Sequence, residues 1–318
     1  MAPQVSINIC CYNSEKYLEE TLQSVCAQTC EDWELVVVND GSTDSTEQIV
    51  GKYKAEGWPI VYHAQANAGL GRARNRALEL SRGEYIAFID HDDLWQPDKM
   101  DRQLALLRAR PDVGVVYSNS YSIDASGRIT GTCLQPHQFF RGDVFEDLLL
   151  VRFIPPWLTV VFRREALIAA GPFLPYRIVE DYDILLRLAA RFPFDYVMDP
   201  LASYRSHLSQ SSRHYDVMLA EQLSVYDSWA QKPEFHARDR AKLLARARGR
   251  SYFEAGRMAF YREDKKRKAC GYLWRSFRFA PSIRSLLYLA LSSSGIKCGP
   301  SFANWVRSML WSRNPHLG

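Results

Sequence analysis

No stretch of this chain approaches the roughly 18 apolar residues that a membrane-crossing helix needs. The best candidate, Leu286 to Leu291, is far too short. There is no internal repeat and no low-complexity tract. Met1-Ala2-Pro3-Gln4 has no basic region and runs directly into an apolar segment, so no secretory signal is expected. Cysteine is scarce, odd in number at seven, and irregularly spaced. Cys10 and Cys11 are neighbours on a strand and point to opposite faces. Cys26 and Cys30 sit at helical spacing, but no histidine accompanies them. These absences argue against a zinc site and a disulfide framework, and predict reduced thiols in a cytosolic compartment.

What is present points to a globular protein. Apolar residues make up 47% of the 318 and charged residues 24%, enough for a substantial core. The net charge of +4 conceals an asymmetry: residues 237–318 carry 18 Lys/Arg against 4 Asp/Glu, which leaves residues 1–236 with 22 against 32. A body of net −10 and a tail region of net +14 point to an anionic partner for the tail, either membrane or nucleic acid.

The first half alternates strand and helix. Strands are expected at Val5–Cys10, Trp33–Val38, Ile60–Tyr62, Tyr85–Ile89 and Val113–Ser118. Helices are expected from Ser14 (capped by Ser14 or Asn13), over 44–54 (with Ser42 or Asp44 near the cap), over 71–81, and over 97–108 with Pro97 at or near its first position. Such alternation implies right-handed βαβ units and a mostly parallel sheet. Further on, Tyr121–Cys133 reads as a hairpin turning at Asp124–Gly127. A short helix over 142–150, a strand over 158–162 and a helix over 164–170 ended by Gly171-Pro172 follow. Then come an amphipathic helix over 182–191 and extended pieces over 194–198 and 201–205. From about Tyr215 everything reads helical. Two regions follow: 1–214, and a basic helical extension over 215–318.

Six short constellations carry chemistry. The most informative is Asp90-His91-Asp92-Asp93, closing the apolar run Tyr85–Ile89. A strand ending in carboxylates delivers them to the carboxyl edge of a sheet, where open α/β folds bind ligands. Carboxylate oxygens there suit a hard divalent ion, and such an ion suits a diphosphate. Cys11-Tyr12-Asn13 offers an aromatic to stack on a base, or simply a helix cap. In Asn39-Asp40-Gly41-Ser42, Asp40 could accept from a base N–H, or serve a strand–helix loop; Gly41 allows a positive-φ turn. In Asn67–Asn75 the glycines open a helix whose N-terminus suits phosphate, and Arg72 and Arg74 could reach a diphosphate. This is not a dinucleotide fingerprint, because Arg74 occupies the third glycine position. Glu180-Asp181-Tyr182-Asp183 opens a helix, where carboxylates also favour the helix dipole. Tyr204-Arg205-Ser206-His207, with Ser209 and Ser211, completes the set. An Asp-x-Asp after a strand also occurs in haloacid-dehalogenase-type phosphatases, but that family wants Thr or Val where Leu94 stands.

The order of these motifs, in "VSINICCYNSEKYLEETLQSVCAQTCEDWELVVVNDGSTDST", "NAGLGRARNRAL", "GEYIAFIDHDDLW" and "EDYDILLRL", resembles the family 2 inverting glycosyltransferases with the GT-A fold, over roughly residues 3–212. The resemblance implies an α/β, nucleotide-diphospho-sugar transferase fold with a mostly parallel central sheet flanked by helices and a C-terminal helical extension. It implies that Tyr12 and Asp40 hold the base, and that Arg74 approaches the diphosphate. Asp90 contacts the ribose or sugar, and Asp93 lies near the donor sugar hydroxyls. Asn13, Glu15 and Asn67 join this nucleotide- and donor-binding set. Asp92 becomes the direct ligand of Mg²⁺ or Mn²⁺, with His207 the second ligand. Asp181 is the implied catalytic base, with Glu180 the runner-up. The donor is a nucleoside-diphosphate sugar, UDP-sugar favoured, and the acceptor a glycan or lipid-linked hydroxyl. Cys10 replaces a common Pro, Asn39 a common Asp, and His91 a small residue, which bears on which base is bound. The Gln-x-x-Arg-Trp motif of processive synthases is absent where it would be sought, which argues for one sugar per encounter.

Residues 237–318 mix Lys/Arg with Trp274, Phe277, Phe279, Tyr288, Trp305 and Trp311. Such helices suit an anionic bilayer, predicting a cytoplasmic protein peripheral on the inner face of the cell membrane. The alternatives are a solvated appendage or a dimer interface. Nucleic acid is not expected, since no reading motif accompanies the charge. A second class, a non-catalytic nucleotide-sugar-binding or scaffold protein, would be expected to have lost Asp92 or Asp181; both are retained.

Overall fold

The structure is a computed structural model, and it describes residues 2–207, 214–235, 238–261 and 265–294. The chain divides into two compact units, one of Met1–Leu148 with Phe153–Ser211 and one of Leu149–Arg152 with Ser212–Gly318.

The first unit is built on a nine-stranded sheet. Strands β1 (Val5–Cys11), β2 (Trp33–Asn39), β3 (Ile60–Ala64) and β4 (Tyr85–Phe88) are joined by α1 (Leu18–Cys26), α2 (Thr46–Ala55) and α3 (Leu70–Leu80). They pair in parallel in the order β3-β2-β1-β4. Every residue of β2 is buried, as expected of a strand covered on both faces. The order continues β8-β6-β9-β5 through β5 (Leu94–Trp95), β6 (Val115–Ile123), β8 (Val161–Arg163) and β9 (Phe194–Arg205). β7 (Ile129–Thr132) forms the expected hairpin on β6, turning at Asp124 where Gly127 N–H returns to its carbonyl at 3.0 Å. Here the sheet turns mixed: β8 is antiparallel to both β4 and β6, while β9 is parallel to β6. The two expected extended pieces form one strand, β9, interrupted by register shifts opposite Ser118–Tyr121. β5 escaped the sequence reading, because two residues carry no period; it exists because β9 pairs with it.

Several helix starts differ from expectation, among them α2 at Thr46 and the short helix opening at Phe145, and three bear on the site. α1 begins at Leu18, four residues after Ser14, because Asn13 and Ser14 bond to the β2–α2 loop instead of capping a helix. α4 (Lys99–Ala109) begins two residues after Pro97, whose carbonyl accepts from Thr29 N–H at 2.9 Å. α7 (Glu180–Ala189) starts two residues early, which puts the acidic pair inside its first turn. α5 (Phe145–Leu149) and α6 (Arg164–Ala170) complete this part of the chain.

The second unit is helical: α8 (Tyr215–Ala230), α9 (Arg238–Tyr261), α10 (Lys266–Phe279) and α11 (Ile283–Ser294). α9 and α10 approach closely because Gly249 and Gly256 face α10. A Cβ there would lie 2.6 Å from Ala280 Cβ and 2.7 Å from Leu273 Cγ. Buried Phe253, Leu273 and Tyr288 form a core of their own. Among the described residues no helix is long and apolar enough to cross a membrane.

Candidate active site

The loops at the carboxyl ends of β1 and β2 are stitched together. Asn13, at φ +50°, donates its N–H to Ser42 Oγ (2.9 Å) and accepts from Thr43 N–H through Oδ1 (2.9 Å). Glu15 accepts from Ser45 N–H at 3.0 Å and donates to Asp44 at 2.9 Å. The short polar side chains of this segment therefore replace a helix cap with a cross-loop brace. The brace leaves Tyr12 presented at the surface, 52% exposed.

Asp40 is buried at the end of β2. Its Oδ1 accepts from Gln65 Nε2 (2.7 Å) and Ala68 N–H (2.9 Å), and its Oδ2 from Gly69 N–H (2.9 Å). Three of roughly four lone-pair positions are thus committed. The carboxylate orders the loop that enters α3, and it occupies backbone donors at the α3 N-terminus that the sequence suggested for phosphate. Gly41 sits at φ +82°, with its α-carbon side against Asn67 N. Asn67 itself is exposed on that loop.

α3 places Arg74 inward and Arg72 outward. The Arg74 guanidinium is 3% exposed, pairs with Glu180 Oε1 at 2.7 Å and Asp90 Oδ1 at 3.2 Å, and lies 4.4 Å from the Trp157 ring centre. The neighbouring helix face closes on the segment before α7: Asn75 donates to Phe173 O (2.9 Å) and accepts from Phe173 N–H (2.8 Å). Gly71 permits this approach, since a Cβ there would lie 2.7 Å from Leu174 O. Glu180 from α7 is thereby brought to the end of β4. Two buried polar atoms beside Arg74, Glu180 Oε2 and Trp157 Nε1, have no hydrogen-bond partner among the described residues. Buried polar groups are normally satisfied, so such a pair marks a place where a ligand group could complete the bonding.

The acidic loop is held from behind by Arg205. This arginine, 1% exposed, donates Nε–H to Asp92 O (2.9 Å) and Nη2–H to Glu20 (2.7 Å), and stacks 4.6 Å over Tyr17. Its own N–H goes to Asp93 Oδ1 at 2.8 Å. Thr21 Oγ1 donates to the carbonyls of His91 (3.0 Å) and Asp93 (2.9 Å). Two residues beyond Arg205, His207 Nε2 meets Asp92 Oδ2 at 2.7 Å. Ser209 and Ser211 lie outside the described residues.

The carboxylates differ in environment. Burial, with Asp92 and Asp90 beside it, pushes Asp93 well above the usual range. Burial raises Glu180 to about 7, against the opposing pull of Arg74. Asp181 is raised by burial too, again opposed by Arg74, but its side chain is only half-buried. Its Oδ1 accepts from Tyr182 N–H at 2.6 Å. Glu180 thus commits one oxygen, Oε1, to Arg74, and Asp181 is the more exposed carboxylate of the pair.

The structure thus gathers Arg74, Asp90, Asp92, Asp93, Glu180, Asp181 and His207 around the end of β4, with Tyr12, Asn13, Glu15, Asp40 and Asn67 on the adjoining β1, β2 and β3 loops. Sequence reading assigned no role to Trp157, Asn75, Arg205 or Thr21. Arg205 stood in plain view between Tyr204 and His207. Trp157 had no local signal, because only the packing of β8 brings its segment beside β4.

The family model described as "Glycosyl transferase family 2" matches residues 6–168. EpsH of Bacillus subtilis (strain 168), named as a glycosyltransferase, is 32% identical over 240 residues, covering 71% of this chain and 68% of EpsH. TuaG of the same organism, named as a glycosyltransferase of teichuronic acid biosynthesis, is 40% identical over 109 residues, 34% of this chain and 43% of TuaG. The chain therefore spans about two thirds of one relative and less than half of the other. Among solved structures, S. aureus TarS 1–349 with UDP-GlcNAc superposes with a TM-score of 0.64 at 20% identity, covering 92% of this chain and 88% of that one. The mannosyltransferase PcManGT of Pyrobaculum calidifontis, with GDP-Man and Mn²⁺, gives 0.62 at 18%, covering 92% and 80%. These likenesses establish the GT-A fold.

Proposed function

We propose a donor, an acceptor class and a mechanism for this chain, which belongs to glycosyl transferase family 2 and is a glycosyltransferase. The donor is a nucleoside-diphosphate sugar, UDP-linked in preference. The acceptor is a hydroxyl of a glycan or lipid-linked precursor, met in the cytoplasm or at the inner face of the membrane. Solved neighbours of the same fold that carry UDP-GlcNAc and GDP-Man support the donor class. The observation that carries the reading is the convergence, at the end of one buried strand, of a buried arginine, a carboxylate–imidazole pair and an accessible carboxylate.

The transfer is a single displacement. The acceptor oxygen attacks the anomeric carbon from the face opposite the diphosphate. The bond to the diphosphate oxygen breaks, its electron pair leaves with the nucleotide, and the anomeric centre inverts. Asp181 takes the hydroxyl proton, for which it must reach within about 3 Å. Arg74 faces the charge that develops on the departing diphosphate, and Glu180 and the Trp157 ring hold it there. Asp90 and Asp93 line the donor side, and Tyr12, Asn13, Glu15, Asp40 and Asn67 form or brace the nucleotide end.

A divalent ion fits this donor set in part. Asp92 and His207 converge on one point, while among the described residues no three His, Cys, Asp or Glu side chains form a cage of their own. One carboxylate and one imidazole suit Mn²⁺ or Mg²⁺ that completes its shell with water and phosphate oxygens. Such an ion, bound by Asp92 and His207, would neutralise diphosphate charge.

A thermal-shift panel of UDP, GDP and dTDP species with Mn²⁺, Mg²⁺ or EDTA tests the donor. A ligand at 100 times its Kd adds about 2.7 kcal/mol. A shift with none of them removes the donor assignment. Asp181→Asn tests the base: turnover should fall on the order of 10²–10⁴-fold with the donor shift intact. Unchanged turnover would reassign the base to another group.

A further inference from the structure

We infer that the exposed face of α10 and α11 is a docking surface for an anionic lipid bilayer. α11 buries only part of its apolar surface: Tyr288 and half-buried Leu289 pack on the inner cluster, while other apolar side chains face out. Its buried side carries Ser285, Tyr288 and Ser292, at 2%, 5% and 0% exposure. Its outer side carries Ile283 at 74% and Leu286 at 46%, followed by half-buried Leu287 and exposed Ala290. Positions 283, 286, 287 and 290 are the i, i+3, i+4, i+7 stripe that normally faces a core. Of the two inward serines, Ser285 is satisfied: its Oγ lies 3.0 Å from Ser276 Oγ and 2.9 Å from Ser282 Oγ, while Ser292 Oγ has no hydrogen-bond partner among the described residues. An apolar stripe turned outward while hydroxyls are buried calls for an apolar environment on the outside.

The charge around that stripe selects the environment. From Lys265 to Ser294 there are seven Lys/Arg and no Asp/Glu. Lys265, Lys266, Arg267, Arg275 and Arg278 are exposed. Trp274, 52% exposed and stacked at 6.1 Å on Phe277, sits on α10 among Arg267, Arg275 and Arg278. Phe279 adds a second exposed ring at 40%. Exposed aliphatics, an amphipathic tryptophan and exposed cations on short helices together match the chemistry of an anionic headgroup layer over acyl chains. A second copy of the same face would bring exposed cations against exposed cations. Tyr288, which the sequence offered as part of the apolar face, is buried, and Trp305 and Trp311 lie outside the described residues.

The inference goes beyond the transfer chemistry, and its test reads binding, not turnover. Full-length protein is floated with vesicles of phosphatidylcholine alone or with added phosphatidylglycerol, at low and high salt. Flotation is expected only with the anionic vesicles. It should weaken as salt shortens the screening length from about 10 Å at 0.1 M towards 3 Å at 1 M. Arg275→Glu/Arg278→Glu should lower partitioning more than about fivefold per charge removed, and Ile283→Asp/Leu286→Asp should abolish it. Unchanged melting and an unchanged nucleotide shift certify that the variants fold. Failure of wild type to float at low salt, equal flotation on neutral vesicles, or wild-type flotation by Ile283→Asp/Leu286→Asp would each overturn the proposal. So would lipid-independent self-association that the same substitutions remove, which would assign the face to a neighbouring protein copy. A lost nucleotide shift with intact flotation would count against the donor reading alone.

Discussion

The two units of the molecule differ in the polar side chains they bury. The α/β unit buries charged groups as well as hydroxyls and amides, and some of the charges are paired across segments far apart in sequence: Arg74 meets buried Glu180, and buried Arg205 reaches out to exposed Glu20. In the helical unit the buried polar side chains among the described residues are hydroxyls alone, Ser251, Ser276, Ser285 and Ser292. Hydroxyls are cheap to satisfy locally, as in the Tyr226–Ser251 contact at 2.9 Å. Charges are not: desolvating one costs several kcal/mol unless a partner is held in place. The α/β unit accepts that cost at several places, most densely around the end of β4, where Arg74, Asp92, Asp93 and Glu180 are all buried. The helical unit keeps its cations outside, where they cost little and can meet an opposite surface.

Arg74→Ala should break this contrast most severely. It strands Glu180 in the interior, and a broken buried pair costs about 3–5 kcal/mol. It also removes a donor aimed at developing charge, worth on the order of 10²–10³ in turnover. Denaturant melts and a donor-turnover assay read the two effects separately. In the double variant Arg74→Ala/Glu180→Ala the stability loss should be smaller than the two single losses combined, while turnover stays low. Full additivity would mean that the pair does not act as a unit.

Glu180 sharpens the same point through pH. Its folded value, about 7, lies above the ordinary glutamate value of 4.5, because burial outweighs Arg74. A raised value contributes stability that is complete at low pH and lost as pH rises through 7. From this group, stability should therefore fall between about pH 5 and about pH 8, and Glu180→Gln should flatten the slope. Melts of the two proteins at both pH values decide it; a steeper slope in the variant would reverse the sign.

Asn75→Ala should cost about 1–3 kcal/mol by leaving the Phe173 backbone unpaired. Because that clamp sets the approach to α7, turnover should drop more than donor affinity, a split that a purely structural asparagine would not give. The smallest effect belongs to the helical unit. Ile283→Ser should change global stability by no more than about 0.5 kcal/mol, since the side chain is already in solvent. A larger loss would show that something covers Ile283 in solution.

Much of this was legible along the chain. The period of the apolar runs located β1 to β4 and the three helices between them, because each is a local pattern read against a two-sided core. The Asp90–Asp93 cluster, the Glu180-Asp181 pair and His207 were visible as residue types at element ends. The sequence left the choice open where a side chain had competing partners. Asn13 and Ser14 could cap a helix or brace a loop, and only the nearness of Ser42, Thr43 and Thr46 decides for the loop. Asp40 could face a base or its own chain, and the loop over 65–69 engages it.

By itself the sequence determined the alternating α/β order, the acidic strand end and the separation of an acidic body from a basic tail. These depend on period and composition, which need no partner. Tertiary structure alone decided that Glu180 anchors Arg74 while Asp181 is the more exposed of the pair, that Arg205 locks the acidic loop, and that α11 turns Ser285 and Ser292 inward and Ile283 and Leu286 outward. Each of these is a choice among contacts of similar energy. Desolvation and packing settle such choices only when distant segments are brought together.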